Sequence, residues 1–227
     1  MIYLIITLLL LAIILPSIWV KFTIKKYSKP IPSLPGTGSE FAIHLIEHFK
    51  VGDVNVEKGI EGQDHYSPTD NIIRLSPSIF DGKSISAVSI AAHEVGHAIQ
   101  YSRKERITKL RDKYTPVAMV IEKISIGLVT ICPLLIAIFK LPQLALISIA
   151  AGLITMLISV CLQLIILPME WDASFNKALP IIEEGQYLDR EQLPFARKIL
   201  RAAAMTYVAA TLSSLLNVWR WLAILKR

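Results

Sequence analysis

Two long apolar runs, residues 116–139 and 144–167, are separated by only Lys140-Leu141-Pro142-Gln143. A connection that short joins neighbouring antiparallel helices, so the pair reads as a helical hairpin. At a rise of about 1.5 Å per residue, each run is long enough to cross a hydrocarbon core of about 30 Å. Run 144–167 is free of charge, whereas 116–139 carries Glu122 beside Lys123. That pair either shortens the run, so that it starts at Ile124, or faces a protein interior near the interface.

Residues 2–20 form a further run without a charge, and Lys21, Lys25, Lys26 and Lys29 follow it. A cleaved signal peptide carries its positive charge before the apolar run, so this one reads as an anchor. Residues 202–219 are uncharged up to Arg220, which makes a short fourth span or a helix lying in the interface. With 53% hydrophobic residues and a mean hydropathy of +0.52, the chain has the composition of a membrane protein. The expected fold is mainly α: an integral membrane helical protein with a small β-hairpin before a metal-binding helix.

The net charge of +6 is clustered. Arg103, Lys104, Arg106, Lys109, Arg111 and Lys113, tempered by Glu105 and Asp112, lie directly before an apolar run. Such a flank belongs beside anionic lipid on the cytoplasmic side and not on a nucleic acid. Cys132 and Cys161 sit inside apolar runs as ordinary filling, with no disulfide implied.

In order, the expected segments are an anchor at 1–20, a basic Pro/Gly-rich linker at 21–38, a cytoplasm-facing region at 39–115, the membrane hairpin at 116–168, a region at 169–206 and a C-terminal membrane helix at 207–227. Thr37-Gly38-Ser39-Glu40 is a capping box that opens a helix ending near Lys50. That helix contains His44-Leu45-Ile46-Glu47-His48, an inverted zinc motif. Helical periodicity puts Glu40, His44, Glu47 and His48 opposite Phe41, Leu45, Ile46 and Phe49, so the two histidines read as a solvated face. Val54-Asn55-Val56 and Ile72-Ile73-Arg74-Leu75 read as two short strands joined by a loop holding His65 and Tyr66. An exposed edge there could pair with an extended peptide, and His65 is a candidate donor to an oxyanion.

The strongest chemical signal is His93-Glu94-Val95-Gly96-His97. Residues four apart share one helix face, so both imidazoles can reach one point, with Glu94 beside it. A zinc ion held by two imidazoles and one further ligand keeps a position for water and lowers its pKa to about 7, and Glu94 is placed to take the proton. With 5 His and 11 Glu in 227 residues, chance supplies roughly 0.005 such matches. Pro168-Met169-Glu170-Trp171-Asp172 follows the second hairpin run. Glu170 is either the third ligand or an interfacial carboxylate, and Asp172 either orients a ligand histidine or is a helix-start charge. Tyr207, near the start of the last apolar run, is a second candidate oxyanion donor.

Asp64-His65-Tyr66, the stretch 91–100 around the motif, Leu167-Pro168-Met169-Glu170-Trp171-Asp172-Ala173-Ser174 and the stretch 203–210 together resemble the YugP-type bacterial neutral zinc metallopeptidases over nearly the whole chain. That family is similar in layout to the HtpX-like and prenyl-protein membrane endopeptidases. In those gluzincins the third ligand is the first Glu of a Glu-x-x-Ala-Asp motif. The resemblance implies Glu170 as the third ligand of one zinc ion per chain, with Ala173 matching the motif. Ser174 stands where those relatives have Asp, so the role of that Asp does not transfer directly, and the resemblance leaves open whether Asp172, two residues earlier, replaces it.

The resemblance also implies a multi-pass enzyme of the bacterial plasma membrane with its site facing the cytoplasm. It would cut polypeptides, including membrane-associated ones, in contact with membrane lipid and without nucleic acid. The residues specify no oligomeric state, and they equally allow a non-catalytic membrane scaffold or regulator with a structural zinc site.

Overall fold

The computed structural model describes residues 2–139 and 143–206; the side chains of 2–13 and of scattered positions between 122 and 163 fall outside that description. The expected C-terminal helix at 207–227, the turn at 140–142 and the side chain of Glu122 therefore lie outside the described residues. The chain is mainly helical, in the order α1 (Ile2–Lys26), α2 (Gly38–Phe49), three short strands, α3 (Pro77–Phe80), α4 (Ile85–Ser102), α5 (Arg106–Phe139), α6 (Gln143–Trp171), a π-helical segment (Asp172–Ala178), α7 (Leu179–Glu184) and α8 (Leu193–Ala204). It divides into two compact units: 1–17 with 110–166 and 207–227, and 18–109 with 167–206. The first unit, where it is described, is made of stretches of α1, α5 and α6.

The second unit is organised around α4. Ser84 caps it, its Oγ accepting from the Ala87 N–H at 3.1 Å, and every residue from Ile85 to Gln100 is buried. A helix buried on all sides needs packing partners on all sides. Here those partners are α2, the π-helical segment, α8, α7 and α3, which all pack on α4. The N-terminal end of α4 is tied to the end of α1, because the Ser86 hydroxyl donates to the Ile24 carbonyl at 2.7 Å and the Ser86 N–H to that of Tyr27 at 3.2 Å.

The capping box at Thr37 is formed, with the Glu40 N–H on Thr37 Oγ1 at 3.3 Å and the Thr37 N–H on Glu40 Oε2 at 2.8 Å. At the other end Lys50 adopts the left-handed conformation that closes α2.

Two expectations are corrected. Among the described residues no helix is long and apolar enough to cross a membrane, so the integral membrane fold is not found. A span takes about 20 consecutive apolar residues. α5 opens with Arg106, Lys109, Arg111, Asp112 and Lys113 and meets Glu122-Lys123 in its middle.

The small hairpin is corrected to a three-stranded sheet in the order β1-β3-β2, with β1 at Asn55–Lys58, β2 at His65–Ser67 and β3 at Ile72–Leu75. The two strands expected to form a hairpin, β1 and β3, run parallel, Asn55 opposite Ile72. Parallel strands need a crossover, and the chain between them contributes β2, which turns back antiparallel along β3 with Tyr66 opposite Ile73. Ile73, Leu75 and Tyr66 are buried, while Arg74 faces outward to Glu57 and Asp70.

Candidate metal centre

Helical geometry brings His93, Glu94 and His97 to one side of α4, and all three are buried. Glu170, on the last turn of α6 and 1% exposed, meets them from 73 residues further along the chain. Its Oε2 lies 3.3 Å from His93 Nε2 and 3.3 Å from His97 Nε2. The other carboxylate oxygen, Oε1, is buried with no hydrogen-bond partner in the structure.

These distances suit a metal ion. A tetrahedral zinc with ligands at about 2.0–2.1 Å places its ligand atoms about 3.3 Å from one another, and the three donors here lie within 4.8 Å of one another. Two imidazoles and a carboxylate are a donor set zinc takes, and a dry carboxylate oxygen without a partner is a cost that an ion would remove.

The local backbone explains how Glu170 arrives there. Pro168 inside α6 has no N–H to give to the carbonyl one turn earlier. One turn on, the backbone widens into the π-helical segment Asp172–Ala178, a conformation found frequently at functional sites. This segment presses directly on α4 at Gly96.

The imidazoles are held from behind. His93 Nδ1 lies 3.0 Å from the Ser174 hydroxyl, which also reaches the Leu200 carbonyl of α8 at 3.1 Å. His97 Nδ1 lies 3.0 Å from Gln100 Oε1, and Gln100 Nε2 donates to the Met169 carbonyl at 2.9 Å and to Asp172 Oδ2 at 2.8 Å. Asp172 is thus placed one residue further from the metal ligands than expected: it meets Gln100, Asn176 and Lys177, not a histidine. Burial acts to raise its carboxyl, but hydrogen bonds from Lys177, Gln100 and Asn176 bring it below its ordinary value. Lys177 continues the network to Glu105 at 3.1 Å.

Burial pushes the Glu94 carboxyl up to about 7; His93 and the Tyr66 backbone N–H oppose the rise, and the charges of Asp64 and Glu170 add to it. Glu170 goes the other way. Burial would raise it, yet the charge of His97 and the hydrogen bonds of both histidines hold it well below the usual carboxylate range. Asp64 is anchored by the Ser76 N–H at 2.6 Å and the Ser76 hydroxyl at 2.9 Å, and burial raises its carboxyl.

The structure does not bring every candidate here. His65 is exposed on β2 with its Nδ1 2.9 Å from the Gln63 carbonyl: strand alternation turns Tyr66 inward and His65 out. Tyr207 lies outside the described residues. His44 and His48 are exposed on α2, His44 meeting the Tyr187 hydroxyl at 2.8 Å. The residue missed at the sequence level is Gln100. Its spacing of three from His97 on the same helix face was the available signal.

Two imidazoles from one helical turn and a glutamate from a distant helix, with an elevated glutamate beside them, have the layout of a zinc peptidase centre. A family model described as "Putative neutral zinc metallopeptidase" matches residues 1–226, and the chain belongs to that family. A protein of Bacillus subtilis (strain 168) described as "Putative membrane protease YugP" is 37% identical over 214 residues, covering 92% of this chain and 91% of that one. No solved structure matches the chain.

Proposed function

We propose that this chain is a zinc-dependent endopeptidase holding one zinc ion on His93, His97 and Glu170. The observation that carries the reading is the convergence of the three donors on one point, with the partnerless Glu170 Oε1 beside it. Bound there, zinc would supply Lewis acidity toward a water molecule and a substrate carbonyl.

Glu94 does the proton work. A carboxyl raised to about 7 is matched to neutral pH, at which it can both accept and return a proton. It takes the proton of the attacking water and delivers it to the leaving amine. Its burial, beside the Tyr66 backbone of β2, strengthens every charge interaction at the site. β2 is an edge strand next to α4, and an extended polypeptide pairing there would run beside Glu94.

The description of the Bacillus relative as a membrane protease supports association of this chain with the bacterial plasma membrane. Lys21, Lys25, Lys26 and Lys29, with the basic residues of 103–113, suit the anionic cytoplasmic leaflet. Membrane-associated polypeptides are then the substrates at highest local concentration. The test is elemental analysis of protein purified in mild detergent, together with cleavage of an unstructured polypeptide. About one zinc per chain and cleavage abolished by a chelator are expected; protein without bound zinc after growth in zinc-replete medium would refute the reading.

A further inference from the structure

We propose that Ser174 and Gln100 are the positioning residues of the two ligand histidines, and that both act as neutral hydrogen-bond acceptors. The inference rests on the zinc reading above and deepens it.

Donor and acceptor accounting assigns the protons behind the two rings. The Leu200 carbonyl can only accept, so the single proton of the Ser174 hydroxyl goes to it at 3.1 Å. Ser174 Oγ then has only lone pairs left for His93 Nδ1 at 3.0 Å, and that nitrogen must carry the hydrogen. The Gln100 amide is oriented by the same logic. Its Nε2 faces two groups that only accept, the Met169 carbonyl and the Asp172 carboxylate, at 2.9 and 2.8 Å. A flipped amide would set oxygen against oxygen twice. Gln100 Oε1 therefore accepts from His97 Nδ1 at 3.0 Å. In both rings a hydrogen is fixed on Nδ1, so Nε2 is the nitrogen that faces Glu170 Oε2: it donates to that carboxylate while protonated and offers its lone pair once a zinc ion takes the proton's place.

The chemical character of these acceptors matters. A carboxylate behind a ligand imidazole raises its basicity and strengthens its bond to the metal. Here a hydroxyl and an amide take that place, and Glu170 is the one carboxylate that touches the ligand nitrogens among the described residues. The nearest acid behind them, Asp172, acts through Gln100. Ser174 and Gln100 thus hold the rings in register while leaving more positive charge on the ion than a pair of carboxylates would.

Zinc affinity of the full-length protein, measured by competition with a chelator, tests this. Ser174→Ala and Gln100→Ala are expected to weaken binding about 10- to 100-fold, and Ser174→Asp to bind at least as tightly as wild type. Alanine variants that melt as folded proteins and hold zinc within about twofold of wild type would overturn the positioning role. An Asp variant weaker than the Ala variant would overturn the argument about neutral acceptors. A wild type that takes up no zinc would overturn the metal reading itself. Because the alanine variants could lose the fold, the wild type supplies a second readout: in the zinc-loaded protein with ¹⁵N-labelled histidine, both ligand rings should show slowly exchanging Nδ1 protons, and coordination through Nδ1 would overturn the assignment.

Discussion

Gly96 and Ala173 meet backbone to backbone: a Cβ at Gly96 would sit 2.9 Å from the Ala173 carbonyl oxygen. Gly96 lies between the two histidines of α4, and Ala173 lies between Glu170 and Ser174. The contact therefore sets the distance between the two halves of the metal centre. Gly96→Ala should force the π-helical segment away from α4 and carry Glu170 and Ser174 with it. Overpacking of this kind costs about 1–3 kcal/mol, so a lowered melting temperature and weakened zinc binding are expected together. Wild-type zinc affinity in the variant would show that the spacing is not needed.

Glu94→Gln keeps the shape and loses the proton acceptor. The zinc ligands are untouched, so metal content should stay at the wild-type level. Hydrolysis should fall by about 10²- to 10⁴-fold, the range for removal of a general base. Steady-state cleavage assayed alongside elemental analysis checks both halves, and unimpaired cleavage would remove Glu94 from the mechanism.

The same carboxyl makes stability depend on pH. Its folded value is about 7 against an ordinary 4.5, so between these values the folded chain keeps a proton that the unfolded chain has lost. Stability therefore falls as pH rises through this window, by about 3 kcal/mol in all, and levels off above it. In chelator-treated protein, Glu94→Gln lacks this loss. Denaturant unfolding at pH 4.5, 6 and 8 should show the variant gaining on wild type across the window; a constant difference would mean that Glu94 is not raised.

His44 and His48 offer a control. They match a zinc motif by spacing but are exposed on α2, and no third donor joins them among the described residues. The double variant His44→Ala/His48→Ala should keep its full zinc content, whereas Glu170→Gln should lose zinc affinity. A loss of zinc in the double variant would place a metal on α2.

Much of the fold and site was readable from short stretches. The capping box at Thr37, the end of α2 at Lys50, the strand pattern at Ile72–Leu75 and the shared face of His93 and His97 all depend on interactions within a few residues, and all are present. The resemblance carried by the motif and by the segment around Glu170 matched the family to which the chain belongs. The misreadings have a common physical origin. An apolar run such as 116–139 specifies a buried helix without specifying a membrane span, and among the described residues no helix is long and apolar enough to be one. Strand pattern specifies extension without specifying partners, and β2 was missed because three residues carry too little alternation to register.

Local spacing determined the direction of the two histidines, because the helical repeat alone decides which residues share a face. Only the tertiary structure decided which carboxylate meets them and which groups hold their far nitrogens. Glu170, Ser174 and the Leu200 carbonyl reach the site through the packing of the π-helical segment that follows Glu170, and of α8, on α4, and Gln100 takes its orientation from the Met169 carbonyl and Asp172. Contacts between residues 26 to 81 positions apart arise from how whole elements pack, a quantity to which no short stretch of sequence is sensitive.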